Sequence, residues 1–329
     1  MSVDVFITGI AGELGSNFAK LCVEKGFKVG GCDITRFNEA WRLKWLGIED
    51  RVDYKWKATF DLNTRDIDGS WLVFDCACNA DRPFGTLSPI HTLQNNLLGP
   101  TVLLESAVGC HPHPIMMYPS SCNVFLGVPR DQQPLTESTP PAPTNYYGWS
   151  KMAAEELYNT YNRAFGLPVV IIRTGSCYGE GMRSDQFIAR CILYMLNDKD
   201  FNVRSPEASR TYTYAGDVLE FYVMLIDELW DGHLTGLTSA TIHNGGNAED
   251  KPYKTIEVAE MIKKLTGSSG RLLRGKYESG EIINGEPVMQ WEKSELAFEL
   301  LGWKPKHTLE QGLRKTIKWF EERLDEYVL

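Results

Sequence analysis

Tyr147 and Lys151 stand four residues apart in Asn145-Tyr146-Tyr147-Gly148-Trp149-Ser150-Lys151, which runs into Met152-Ala153-Ala154-Glu155-Glu156-Leu157. The second stretch is helix-forming, and on a helix that spacing puts both side chains on one face. An ammonium held beside a phenol favours the phenolate, and each pKa unit of such a shift is worth about 1.4 kcal/mol. A tyrosine tuned in this way can serve as a base near neutral pH. Both residue types are common on helix surfaces, so the pair acquires meaning only from the elements around it.

Those elements begin at the N-terminus. Val3 to Thr8 is a β-branched run that ends in Gly9-Ile10-Ala11-Gly12-Glu13-Leu14-Gly15 and continues into an amphipathic helix over Ser16 to Lys25, ended by Gly26. Lys28 to Cys32 follows as a second strand, with Asp33 at its tip. Glycines at 9, 12 and 15 suit a pyrophosphate laid against a helix N-terminus, where free N–H groups and the helix dipole favour negative charge. A carboxylate about 20 residues further on can accept from both adenosine ribose hydroxyls and repel a 2′-phosphate. NAD is therefore favoured over NADP. Arg36 would reverse that preference if it turned inward, and is read as a solvated loop arginine.

Further strands are expected at Trp71 to Ala77, Ile115 to Pro119, Val169 to Thr174 and Thr241 to Asn244, with helices at Asn95 to Val108 and Lys151 to Phe165. Alternating strands and helices imply a parallel sheet covered on both faces. Beyond Arg173 the alternation loosens into helical stretches at Ser184 to Leu196, Val218 to Leu229, Thr255 to Leu265, Lys293 to Leu301 and Leu309 to Tyr327, which predicts a smaller second lobe. Pro134 to Pro143 reads as a proline-rich loop.

The totals narrow the function classes. A chain of 329 residues with 43% apolar content has material for one large core or two smaller ones. A net charge of −9 argues against a nucleic-acid binder, which collects Lys and Arg. The start of the chain reads as strand rather than signal peptide, and no apolar run approaches the roughly 20 residues of a bilayer span. The eight cysteines fall singly, with no Cys-x-x-Cys pair, which fits reduced thiols in a cytoplasmic protein. His111 and His113 lack nearby co-ligands and read as loop residues, so no metal is expected.

Taken in order, these segments resemble the extended short-chain dehydrogenase/reductase family, and within it the NAD-dependent nucleotide-sugar epimerases and dehydratases. Thr8 to Gly15 is similar to that family's Thr-Gly-x-x-Gly-x-x-Gly turn, Tyr147-x-x-x-Lys151 to its catalytic pair, and Ser120-Ser121-Cys122-Asn123-Val124-Phe125 to its Ser-Ser-x-x-Val-Tyr segment. Asn96 to Thr101 resembles the Asn-x-x-Gly-Thr helix, Arg210 to Asp217 the Arg-x-x-x-Tyr-x-x-Asp segment, and Leu301-Gly302-Trp303-Lys304-Pro305 the C-terminal Leu-Gly-Trp-x-Pro. Trp303 is expected in the core whatever the function.

The resemblance implies a Rossmann-type, doubly wound α/β fold with a smaller, mostly C-terminal α+β lobe. Residues 1–175 and 213–247 would bind NAD, and 176–212 and 248–329 the substrate. It implies Ser121, Tyr147 and Lys151 as catalytic residues. Gly9, Gly12, Glu13, Leu14, Gly15, Asp33, Asp61, Ala77, Cys78, Asn96, Tyr147 and Lys151 would contact the cofactor. Ser121, Asn123, Ser176, Arg183 and Arg210 would contact a nucleotide-diphosphate sugar. Tyr147 would take a proton from a sugar hydroxyl while the carbon beneath gives hydride to the nicotinamide, and return of hydride to the other face would invert the carbon. A homodimer through helices Asn95 to Val108 and Lys151 to Phe165 is implied too.

Several positions depart from the family pattern. Cys122 and Asn123 stand where dehydratases carry an acid and a base, which disfavours a 4,6-dehydratase. Phe74-Asp75-Cys76-Ala77-Cys78-Asn79 replaces the usual His-x-Ala-Ala, Ser176 replaces an Asn of many 4-epimerases, and no late Arg occurs between Glu278 and Glu286. The expected activity is epimerisation, at C4 by preference with C2 open. A reductase, dehydrogenase or decarboxylase of the same family, or a non-catalytic NAD-binding protein, are the alternatives.

Overall fold

The computed structural model describes residues 3–80, 87–233, 240–275, 282–283 and 286–327. Glu278 to Glu281, in the segment noted above for its missing arginine, lie outside them. The chain forms two compact units. The first comprises Met1–Val124, Pro143–Arg173 and Tyr222–Ile242, and the second Phe125–Ala142, Thr174–Phe221 and His243–Leu329.

The first unit is built on a seven-stranded sheet: β1 (Val5–Thr8), β2 (Val29–Asp33), β3 (Val52–Trp56), β4 (Leu72–Asp75), β5 (Ile115–Ser121), β6 (Val169–Thr174) and β7 (Ala240–His243). Their order is β7-β6-β5-β4-β1-β2-β3. The strands pair in parallel, with Thr8 in register with both Cys32 and Asp75. The order reverses direction between β4 and β1, and in such sheets ligands bind outside the carboxyl ends of the strands at that point. Alternate residues serve the two faces, as strand geometry requires. Phe6, Val73, Met116 and Ile171 pack with Leu103, Ala107, Ala154 and Tyr158 in one core. Phe18 packs instead against Phe74 and Tyr222, at ring-centroid distances of 4.0 and 5.5 Å. The result is the expected Rossmann-like layering of helix, parallel sheet and helix.

Helix α1 (Glu13–Glu24) follows β1, α2 (Gly99–Val108) precedes β5, and α3 (Tyr146–Phe165) precedes β6. Two of the differences from the expected helix boundaries bear on the site. The helix expected over Asn95 to Val108 is a π-helical turn at Gln94–Leu98 followed by α2. Pro100 accounts for this: it has no N–H for the carbonyl of Asn96, and its ring crowds that carbonyl. Helix α3 starts five residues earlier than the sequence pattern indicates, because Asn145 caps it by accepting the Gly148 N–H at 2.7 Å. Tyr147 therefore lies inside the helix with Lys151. Strand β3 was not expected; its residues are only partly buried, so apolar alternation is weak.

In the second unit, strand Ser176–Tyr178 pairs in parallel with Tyr212–Tyr214, and Ser209–Arg210 lies between Tyr253–Lys254 and Met289–Gln290. Helices Phe187–Leu196, Thr255–Thr266 and Leu309–Glu321 accompany them; the last stops short of Tyr327 and gives way to a 3₁₀ turn at Leu324–Glu326. Trp303 is buried as expected, its indole N–H donating to the Asp217 carbonyl at 3.0 Å.

Candidate active site

The turn between β1 and α1 is shaped by glycine at two places for internal reasons. Gly9 has φ of +65°, and a Cβ there would come 2.9 Å from the Ala77 nitrogen; a Cβ on Gly15 would come 2.2 Å from the Gly9 carbonyl oxygen. Gly12 is different. Its nearest contact would be 3.1 Å from the Gly9 oxygen, and it precedes α1 without a capping side chain. A bare position is thus kept at the N-terminus of α1, whose first turn includes Glu13 and Leu14. Asp33 accepts the Ala11 N–H at 3.0 Å and the Thr35 N–H at 2.9 Å, so its carboxylate is fixed at the rim of this turn. Asp61 ends a 3₁₀ turn at Thr59–Asp61 and is exposed. The cradle and the fixed carboxylate fit the pyrophosphate and adenosine ribose of NAD.

Ser121, Tyr147 and Lys151 come together at the end of β5. The Lys151 side chain is 2% exposed; its ammonium donates to the Pro119 carbonyl at 2.8 Å and lies 4.6 Å from the centre of the Tyr118 ring. The Ser121 hydroxyl is placed to hydrogen-bond the ionised form of the Tyr147 phenol. The same Ser121 oxygen accepts from the Asn123 backbone N–H at 3.2 Å and from its side-chain amide at 2.9 Å. With both lone pairs engaged, the serine keeps its proton for donation to an oxygen in the site. This approach of loop to helix needs Gly148, where a Cβ would come 2.4 Å from the Asn123 carbonyl oxygen.

Electrostatics at the phenol are opposed. Burial pushes Tyr147 up to about 12, against the pull of Lys151 and the Ser121 hydrogen bond. For Lys151, burial acts to lower the pKa, but Cys78, Tyr118, Tyr147 and Asp75 outweigh it and hold the lysine well above its ordinary value. These neighbours favour the charged form of Lys151 beside Tyr147. Cys78 is half-buried and close enough to raise Tyr147.

Two supporting networks escaped the sequence reading. Asp75, fully buried, accepts from Thr8 at 2.5 Å and Tyr158 at 2.7 Å, and Thr8 in turn accepts the Ala77 N–H at 3.0 Å. Burial holds the Asp75 carboxyl above the usual range, with Thr8, Tyr158 and Lys151 pulling the other way. Glu155 receives Ser120 at 2.5 Å and the Arg173 guanidinium at 2.7 to 3.3 Å. An acid in an otherwise apolar strand was the visible sign of the first; nothing local marks the second. Asn96 binds protein: its amide holds both backbone groups of Asn79, at 2.7 and 3.2 Å, and the Ser150 hydroxyl at 2.9 Å. It joins the loop after β4 to the helix carrying Tyr147, and the π turn containing it is a feature often found at functional sites.

The remaining expected residues belong to the second unit. Ser176 lies in register with Tyr212. Arg210 donates from Nε to the Gln290 side-chain oxygen at 3.0 Å, and Arg183 makes a two-pronged contact with Asp185 at 2.9 and 2.5 Å. Among the described residues, no group of three or more His, Cys, Asp or Glu is arranged to hold a metal ion, and no helix is long and apolar enough to cross a membrane.

The chain is 26% identical over 97% of its length to UDP-glucuronate 4-epimerase 6 of Arabidopsis thaliana, covering 71% of that protein. It is 24% identical over 96% of its length to a putative UDP-glucose 4-epimerase of Methanocaldococcus jannaschii, covering 98% of it. The fold matches the crystal structure of UDP-glucose 4-epimerase from Thermotoga maritima with UDP-glucose at a TM-score of 0.84, with 20% identity and coverage of 97% and 99% of the two chains. The family model for the NAD dependent epimerase/dehydratase family matches residues 5–234, which include the glycine turn, Asp33 and the Ser121, Tyr147 and Lys151 cluster. This chain belongs to that NAD-dependent family of nucleotide-sugar epimerases and dehydratases.

Proposed function

We propose that the protein is an NAD-dependent nucleotide-sugar epimerase that inverts a ring carbon, C4 by preference, through a keto-sugar intermediate. The observation that carries this reading is the buried Ser121, Tyr147 and Lys151 cluster, in which a phenol, a fixed cation and an aimed hydroxyl meet. NAD, when bound, supplies a reversible hydride acceptor. The chain's own residues handle the proton. Tyr147, as the phenolate that Lys151 favours, takes it from the sugar hydroxyl, and Ser121, oriented by Asn123, hydrogen-bonds the reacting oxygen. Gly9, Gly12, Glu13, Leu14, Gly15, Asp33 and Asp61 would hold the dinucleotide, with Ala77 and Cys78 beside it. Asn96 would act through Asn79 and Ser150 rather than by touching the cofactor. Ser176, Arg183 and Arg210 are proposed substrate contacts, with Arg210 meeting the diphosphate.

Epimerisation is favoured over dehydration by Cys122 and Asn123, neither of which can strip a proton and protonate a leaving hydroxyl. A cytoplasmic homodimer is the proposed setting. Native mass spectrometry of the purified protein, followed by incubation with UDP-, GDP-, CDP- and dTDP-sugars, tests the proposal. Retained NAD, with one sugar converted to an isomer and no lasting change in nicotinamide absorbance, is the expected result. Turnover only with added NAD(P)H would replace it with a reductase, and NAD without turnover of any sugar would leave a binding protein.

A further inference from the structure

The loop that follows Asp33 is fastened to β3 by three contacts. The Tyr54 hydroxyl donates to the Thr35 carbonyl at 2.6 Å, the Trp56 indole N–H to the Ile34 carbonyl at 2.8 Å, and the Lys57 N–H to the Asp33 carbonyl at 3.0 Å. Trp56 is the register partner of Asp33 across the β2–β3 pair. Trp56 is 63% exposed, which no core packing explains, yet the hydrogen bond to Ile34 holds its indole in one orientation. The Arg36 guanidinium lies over that ring, 5.1 Å from its centre. An arginine three residues beyond the ribose-binding carboxylate is a candidate receptor for a 2′-phosphate, since guanidinium recognises phosphate through paired N–H groups. Here it is occupied by the indole instead.

We propose that Trp56 is a specificity-determining residue for the dinucleotide: by stacking Arg36 it withholds the one cation on this loop that would otherwise favour a 2′-phosphate. This deepens the cofactor reading above and rests on it. Asp33 supplies repulsion of the extra phosphate, and Trp56 removes a compensating attraction. The two act independently, because Asp33 is fixed by Ala11 and Thr35 whereas Arg36 is fixed by the indole.

A cation–π contact at an exposed position is worth about 0.5–1 kcal/mol, so release of Arg36 should change affinity about two- to five-fold. The test is calorimetric titration of the full-length chain, freed of co-purifying nucleotide, with NAD and with NADP. Trp56→Ala should tighten NADP by that factor and leave NAD unchanged. Trp56→Phe, which keeps an aromatic face, should behave like the parent chain. Adding Arg36→Ala to Trp56→Ala should abolish the gain. An unchanged NADP affinity in Trp56→Ala, or a gain that survives loss of Arg36, overturns the proposal while NAD binding stands. Failure of the parent chain to bind either dinucleotide overturns the cofactor reading, and this one with it.

Discussion

Tyr147 is buried next to a cation, and the two effects work against each other. In the chain alone burial prevails, so the phenol keeps its proton at neutral pH. The positive nicotinamide of NAD would add to the pull of Lys151 and bring the phenolate within reach. Tyr147→Phe should lower turnover by at least about 100-fold, the scale of general acid–base catalysis, while NAD affinity measured by calorimetry is retained. Unchanged turnover would remove Tyr147 from the chemistry. Asp75 gives a prediction of opposite kind. Its carboxyl is raised in the folded chain, so its contribution to stability is complete below the unfolded value of about 3.9 and is lost as pH rises through the folded value. The stability of Asp75→Asn relative to the parent chain should therefore increase from acid to neutral pH in urea unfolding; a constant difference would show that Asp75 bears no such burden. The four-residue spacing of Tyr147 and Lys151 made their place on one helix legible in the sequence, whereas Ser121 was marked only by the resemblance of its segment to a family motif. Asp75 stood out as an acid in an apolar strand, but its pairings did not, because its partners Thr8 and Tyr158 are 67 and 83 residues away and no local pattern records such pairings.

Among the elements, the β1–α1 turn separates a requirement of folding from one of binding. Gly15→Ala puts a methyl against the Gly9 carbonyl, which must move, whereas Gly12→Ala asks for a few tenths of an ångström. Urea unfolding should show Gly15→Ala destabilised by about 1–3 kcal/mol, the usual scale for overpacking, and Gly12→Ala close to the parent chain. Calorimetry should show that Gly12→Ala still loses NAD affinity. Equal affinity in Gly12→Ala and the parent would mean that no phosphate approaches that position. Strand–turn–helix order was readable here because glycine, β-branched and amphipathic signals fall in one short window. The π turn was less so: Pro100 was in plain view, but only the fold reveals that the helix continues through it with Asn96 displaced toward Asn79 and Ser150. β3 was missed because Val52–Trp56 carries little of the burial that creates periodicity.

For the molecule as a whole, Ile90, Leu98, Tyr146 and Trp149 remain exposed in the helical segments around α2 and α3. Covering them between two copies would recover roughly 25 cal/mol for each Å² of apolar surface buried. Sedimentation equilibrium should therefore report a dimer at micromolar concentration, and a monomer alone would sink that expectation. The existence of a second lobe was readable where strand–helix alternation loosens, but the allocation of Phe125–Ala142 to it was not, since that segment is far in sequence from the rest of the unit. The chain passes between the units after Val124, Ala142, Arg173, Phe221 and Ile242. On the ribosome, this order has a cost in time. β6 is made well before β7, its sheet neighbour, and the intervening Thr174–Phe221 belongs to the other unit. Until β7 emerges, the six-residue, apolar β6 and not the shorter β7 is the sheet's unpaired edge, the kind of surface that recruits chaperones or aggregates, so this protein's vulnerable period is its own translation.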